Sequence, residues 1–170
     1  MMTGAPRTLV IGLGNPILTD DGIGVHVARA VAETLPESSG IDVIELAVGG
    51  LALMESMVGY ERVILIDALY AAENETGRVR VFDAGDLAST LNTASSHDAD
   101  LPTALRLGRS LGAALPEDQA IQIVGVTAHD VLTFGESPSP RVRAAAHGAA
   151  ELVIDLLGVP QSEQAAHTLT

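Results

Sequence analysis

Cysteine is absent from the 170 residues, which removes disulfides, thiol nucleophiles and cysteine metal sites together. Lysine is absent as well. All nine basic residues are arginine, so Schiff-base chemistry and the lysine of a phosphate-binding P-loop are excluded. There is no Trp, and two Tyr and two Phe make up the whole aromatic content. Leu, Ile, Val and Ala must therefore fill the core, and the aromatic stacking that grips single-stranded nucleic acid has few candidates. Positive charge is scarce: 9 basic residues against 22 acidic ones leave a net −13. That balance repels phosphate backbones and anionic membranes. No apolar run approaches the ~20 residues of a membrane helix. The short run Leu9 to Leu13 is too brief for a signal-peptide core. The expectation is a cytoplasmic protein with no nucleic-acid and no membrane partner, whose chemistry runs through Asp, Glu, His, Ser, Thr, Arg or backbone groups.

What is present is an alternation of strand and helix signals. Thr8 to Leu13 is a continuous apolar run ended by Gly14-Asn15-Pro16, the pattern of a parallel strand covered on both faces. Over residues 22–35, Ile23, Val27, Ala30, Val31 and Leu35 share one helical face, opposite His26, Arg29 and Glu33. Ile41 to Leu46 reads as a half-exposed second strand, and Leu51 to Val58 as a short helix after the Gly49-Gly50 turn. Arg62 to Ala68 is the most hydrophobic strand and carries Asp67 at its end. Val79 to Phe82 reads as an edge strand, residues 92–100 as a polar loop, and residues 101–114 as a helix with Pro102 in its first turn. Ala120 to Val126 is the fifth strand. Ser139-Pro140 opens a last helix with Val142, Ala145, Ala149, Leu152, Val153 and Leu156 facing inward. The pattern predicts one α/β domain over residues 1–158, a three-layer sandwich with a twisted, mainly parallel five-stranded sheet between helices, and a polar, disordered tail over residues 159–170.

In such sheets a site lies beyond the carboxyl ends of the strands, where strand order reverses. Three loops then hold the chemistry. Gly12-Leu13-Gly14 resembles the start of a dinucleotide fingerprint, but Ile17 takes the third glycine's place and Pro16 interrupts, so a tight turn is the plainer reading. Asp20-Asp21 precedes the first helix. One carboxylate suffices to cap it, leaving the other for a function, and a cation would relieve the repulsion of the pair. Asp67 follows four apolar residues, where a carboxylate is expensive unless paired or coordinated. His97, in the polar loop beside Asp98, would complete a set of Asp21, Asp67 and His97. Two carboxylates and an imidazole suit a borderline divalent ion such as Zn²⁺ or Ni²⁺, with positions left open for water or substrate. His129, after the fifth strand, stands at the same end of the sheet, whereas His26, His147 and His167 read as surface residues.

The stretch Val10-Ile11-Gly12-Leu13-Gly14-Asn15-Pro16-Ile17-Leu18-Thr19-Asp20-Asp21-Gly22-Ile23-Gly24-Val25 resembles the opening motif of the hydrogenase maturation endopeptidases. The resemblance continues through Val63 to Ala68, Ser96-His97 with Leu101-Pro102, Ile123 to Val126, and Phe134-Gly135-Glu136, in the same order, over residues 8–157. It implies removal of the C-terminal extension from the large-subunit precursor of a nickel–iron hydrogenase, after nickel insertion. It also implies that Asp21, Asp67 and His97 contact nickel carried by that precursor, with no permanently bound metal, although zinc or cadmium would occupy the same place in crystals. Asp67 is the first choice as general base, a metal-bound water the alternative. Two departures stand out. The family's first ligand is commonly Glu, where this chain has Asp21 with Asp20 beside it. The Asp-Gly-Gly-Thr that many members carry after the second strand is here Val48-Gly49-Gly50-Leu51. Peptidyl-tRNA hydrolase shares the Gly-Leu-Gly-Asn-Pro opening but needs a basic face for tRNA. A non-catalytic small-ligand module built on the glycine turn is the third reading.

Overall fold

Six buried residues in a row, Thr8–Leu13, form β1, and both of its neighbours run parallel to it. A strand flanked in this way is covered on both faces, which is why its sequence is apolar throughout rather than alternating. The computed structural model describes residues 7–88 and 101–159. Strands β1, β2 (Ile41–Leu46), β3 (Arg62–Tyr70), β4 (Val79–Asp83) and β5 (Ile121–Ala128) form one sheet in the order β2-β1-β3-β5-β4. All pairings are parallel except that of β4, which runs antiparallel to β5 at the edge. The expected α/β sandwich is what the chain adopts.

Alternate residues of the strands face two separate cores. Val10, Ile64, Ile66, Val124 and Val126 pack against α1 (Ile23–Thr34) and α4 (Pro140–Leu157). Leu9, Ile11, Leu13, Val63, Leu65 and Ile123 face α2 (Gly50–Ser56) and α3 (Leu101–Ser110). Each fully buried Leu, Ile or Val contributes roughly 1.5–3 kcal/mol by leaving water, and aliphatic side chains do this throughout, as the shortage of aromatics requires.

Several boundaries and faces depart from the sequence reading. On α1, Ala30 is exposed, while Val25 and Ala28 are buried. The helix lies at the junction of β1 and β3, so its buried arc is wider than one stripe. Helix α3 ends at Ser110 rather than at residue 114. Gly112 takes φ +84°, and the N–H groups of Gly112 and Ala113 turn back to the carbonyls of Arg109 and Gly108, a glycine-based helix stop. Strand β3 runs to Tyr70 and β5 to Ala128, because the two pair in register beyond Asp67↔Gly125 as far as Tyr70↔Ala128. On α4, Ile154 is buried beside Val142, Ala149 and Val153, and Ala145, Leu152 and Leu156 are half-buried against the same core. The tail expected to be disordered lies, apart from Val159, outside the described residues.

Candidate active site

From β1 the chain crosses to β2 on one side, whereas β3 lies on the other, so strand order reverses at the β1/β3 boundary. The crevice at the carboxyl ends of these two strands is where such a sheet offers a site. Pairing of Gly12 with Ile66 puts Asp67 level with the last residue of β1. Two glycines close the crevice from above. A Cβ on Gly24, in the first turn of α1, would run into the carbonyl oxygens of both Leu13 and Ile66. Gly14 adopts φ +132°, and a Cβ there would overlap the carbonyl oxygen of Asp21. The glycine-rich opening is thus a packing device that lets the 14–22 loop lie directly on the strand ends. Nothing in it is shaped as a dinucleotide cradle.

Asp21 is 6% exposed, and its Oδ2 accepts the N–H of Asn15 at 2.7 Å, so the carboxylate fastens across its own loop. Asp67 is fully buried at 0%, and its Oδ1 accepts the N–H of Ala68 at 2.8 Å. The odd-numbered residues Val63 and Leu65 share the α2/α3 face. Strand alternation puts Asp67 on that face too, the side from which the chain enters α3. Two buried carboxylates therefore sit at the carboxyl ends of the central strands, each holding a backbone N–H, as a charge taken out of water requires.

Asp20 has a different task. At 1% exposed, its Oδ1 accepts the N–H of Ser139 at 2.6 Å and its Oδ2 accepts the Ser139 hydroxyl at 2.9 Å. Ser139 is the residue on which α4 begins. The expectation that one of the paired aspartates caps the first helix is thereby corrected. Helix α1 starts at Gly22 with no side-chain cap, and the Asp20 carboxylate instead ties the loop to the start of α4. The two neighbours diverge: Asp20 ties the loop to α4, and Asp21 fastens within the loop that lies on the strand ends.

His97, with the polar loop that carries it, lies outside the described residues, and so does His167. Among the described residues no group of three His, Asp or Glu side chains is arranged to hold a metal ion. His129 stands at the carboxyl end of β5, its ring stacked on Tyr70 with centroids 5.8 Å apart and its Nδ1 3.1 Å from the carbonyl oxygen of Ala71. With Asp20, Glu73, Asp130 and Arg141 it lines a depression of about 370 Å³. His26 is half-buried rather than free on the surface. Burial first and Arg29 second hold its pKa below the ordinary value, against the opposing pull of Glu45. His147 pairs with Glu151 on the exposed side of α4.

Sequence reasoning missed the ribbon opposite the 14–22 loop. The N–H of Thr19 bonds the carbonyl of Thr133 at 2.9 Å, that of Gly135 bonds Ile17 at 3.0 Å, and that of Asp20 bonds Asp130 at 3.2 Å. The Thr19 hydroxyl adds a bond to the Asp130 carbonyl at 3.0 Å. The Asp130 carboxylate in turn accepts from Thr133, which keeps its pKa below the usual carboxylate range. Phe134-Gly135-Glu136 was the one sequence signal pointing to this segment.

Comparison with known proteins adds four findings. The hydrogenase maturation protease family profile matches residues 25–156. The chain is 28% identical over 104 residues to the hydrogenase 2 maturation protease of Escherichia coli (strain K12), an alignment covering 59% of this chain and 63% of that protein. It is 26% identical over 154 residues to the hydrogenase expression/formation protein HupD of Rhizobium leguminosarum bv. viciae, covering 90% and 75%. Among solved structures, the hydrogenase maturating endopeptidase HybD from E. coli superposes with a TM-score of 0.74 at 26% identity, over 89% of this chain and 92% of that one.

Proposed function

Since the chain belongs to the hydrogenase maturation proteases, a family of hydrolases, we propose that it is the endopeptidase that removes the C-terminal extension of a nickel–iron hydrogenase large-subunit precursor once nickel is in place. The observation that carries this reading is the pair of buried carboxylates, Asp21 and Asp67, at the β1/β3 crevice. Nickel belongs here to the substrate. A cation presented by the precursor would be held between these carboxylates and would fix the scissile bond relative to them. His97, which precedes α3 in the sequence, is the residue we assign as the imidazole of the set. We assign Asp21 to the metal because it holds the ligand position of the opening motif that this chain resembles; Asp20 binds Ser139 through both oxygens.

Asp67 is the group we assign as general base. Its Oδ1 is oriented by the Ala68 N–H, and a carboxylate held in this way takes a proton from the attacking water while the metal polarises the scissile carbonyl. We further propose that this work takes place in the cytoplasm. The net −13 argues against the tRNA-hydrolase alternative, since no counterion release would drive tRNA binding.

The test is a gel shift of purified large-subunit precursor, with and without nickel. Wild type cuts the nickel-loaded form and leaves the nickel-free form intact. Full cleavage of the nickel-free precursor would overturn nickel recognition, and no cleavage of either form would overturn the assignment as a whole.

A further inference from the structure

The described residues hold three large apolar side chains that are almost wholly exposed: Leu132 at 81%, Phe134 at 79% and Leu111 at 78%. Leu111 follows α3 at the amino end of the sheet. Leu132 and Phe134 lie together on the 130–135 side of the ribbon, at the carboxyl end, with Ile17 exposed across from them. An exposed Leu alone needs no explanation, but these are two residues apart on a segment that is not loose. The ladder bonds from Thr19 to Thr133 and from Gly135 to Ile17 hold it against the loop that ends in Asp21.

The backbone of this segment adds a second observation. Leu18 and Phe134 face each other in an antiparallel bridge between those two ladder bonds. In that geometry the facing residues do not bond one another, and their own N–H and C=O turn outward. For Leu18 both groups are taken, by the carbonyl of Asn15 and by the N–H of Gly22. For Phe134, neither group has a partner among the described residues. The chain thus presents a short rigid edge with one outward donor, one outward acceptor and two bulky apolar side chains.

We propose that this edge, Leu132 to Phe134, docks an extended segment of the precursor polypeptide, which adds to it as a strand and seats an apolar side chain on Leu132 and Phe134. This deepens the function proposed above and rests on it. Strand addition suits a partner recognised through its main chain, with side-chain anchors giving selectivity. The occupant is a polypeptide passing through the crevice because the edge is continuous with the Asp21 loop. Its charge is neutral or basic, because Glu136 and Asp130 flank the edge on a chain carrying −13.

The experiment measures cleavage of nickel-loaded precursor over a range of precursor concentrations for wild type, Phe134→Ala, Leu132→Ala, Phe134→Leu and Leu111→Ala. Truncating either anchor raises KM about tenfold, as for a buried interface side chain, with the midpoint of thermal unfolding unchanged. Phe134→Leu, which keeps an apolar bulk, recovers most of the loss. Leu111→Ala, equally exposed but at the other end of the sheet, leaves KM at the wild-type value. If wild type cuts the precursor and Phe134→Ala and Leu132→Ala both keep its KM, the docking edge is wrong while the proposed function stands. If Leu111→Ala raises KM as much as they do, the effect belongs to general surface hydrophobicity and the docking edge is again overturned. If wild type cuts nothing, the proposed function fails and takes the docking edge with it.

Discussion

The two ends of the sheet use charge in opposite ways. At the amino end, charges close the structure. Arg62, at the start of β3, donates to the Leu156 carbonyl at 2.5 Å and to the Gln122 side chain at 2.7 Å, pinning the end of α4 to the sheet. Arg109 does the same for the turn after α3, bonding the Pro116 carbonyl and pairing with Asp118, both at 2.7 Å. At the carboxyl end three aspartates are buried instead, and one of them, Asp20, is spent on architecture. The lesson is that a buried carboxylate identifies a site only after its partners are counted. Asp20 and Asp21 are indistinguishable as neighbours in sequence, yet one anchors α4 and the other holds the Asn15 N–H of its own loop.

The sharpest way to break this contrast is to neutralise one charge at each end. Asp67→Asn keeps shape and removes charge, so cleavage of nickel-loaded precursor falls by about 10²–10⁴-fold, the range for losing an acid–base group, while thermal unfolding barely moves. His97→Ala lowers cleavage sharply with the fold intact. Cleavage at wild-type rate by Asp67→Asn would remove the distinction between the two ends. Arg62→Ala gives the reverse pattern. It loses two hydrogen bonds at the amino end and about 1–3 kcal/mol of stability, seen in chemical denaturation, with cleavage unaffected below the unfolding range.

Asp20→Ala tests the division of labour inside the aspartate pair. Releasing Ser139 costs about 1–3 kcal/mol and lowers cleavage less than Asp21→Ala does. An equal loss of activity from both variants, without loss of stability in Asp20→Ala, would return Asp20 to the site.

The smallest effect concerns His26, half-buried on α1. Its folded pKa lies below 6.5 because burial opposes the charged form. Between the folded value and 6.5 the unfolded chain binds more protons, so stability rises with pH through that window and is fully present above it. Thermal unfolding measured downward from pH 7 therefore shows a decline beginning near 6.5 that His26→Gln flattens.

Much of this was legible in advance. Apolar runs identified β1, β3 and β5, because a doubly covered parallel strand must be apolar throughout, and the half-exposed patterns of β2 and β4 marked the sheet's two outer strands. Asp67 stood out because a carboxylate inside such a run is anomalous. The end of α3 was read four residues late, since the helix is stopped by backbone bonds from Gly112 to Arg109 and from Ala113 to Gly108 that apolar periodicity does not encode. The 130–135 ribbon left almost no mark, as its pairing with the 17–20 loop is made by main-chain groups that every residue type possesses.

By itself, then, the sequence determined the layers and the placing of Asp20, Asp21 and Asp67 at the carboxyl end of the sheet, because hydrophobic periodicity and the cost of burying charge act along the chain. Only the tertiary structure decided that Asp20 binds Ser139 while Asp21 holds the Asn15 N–H, that Gly14 and Gly24 let the loop settle on the strand ends, and that Phe134 turns its backbone outward. Those outcomes depend on contacts between residues as much as 119 positions apart, and no local pattern specifies which distant partner a carboxylate or a peptide group will meet.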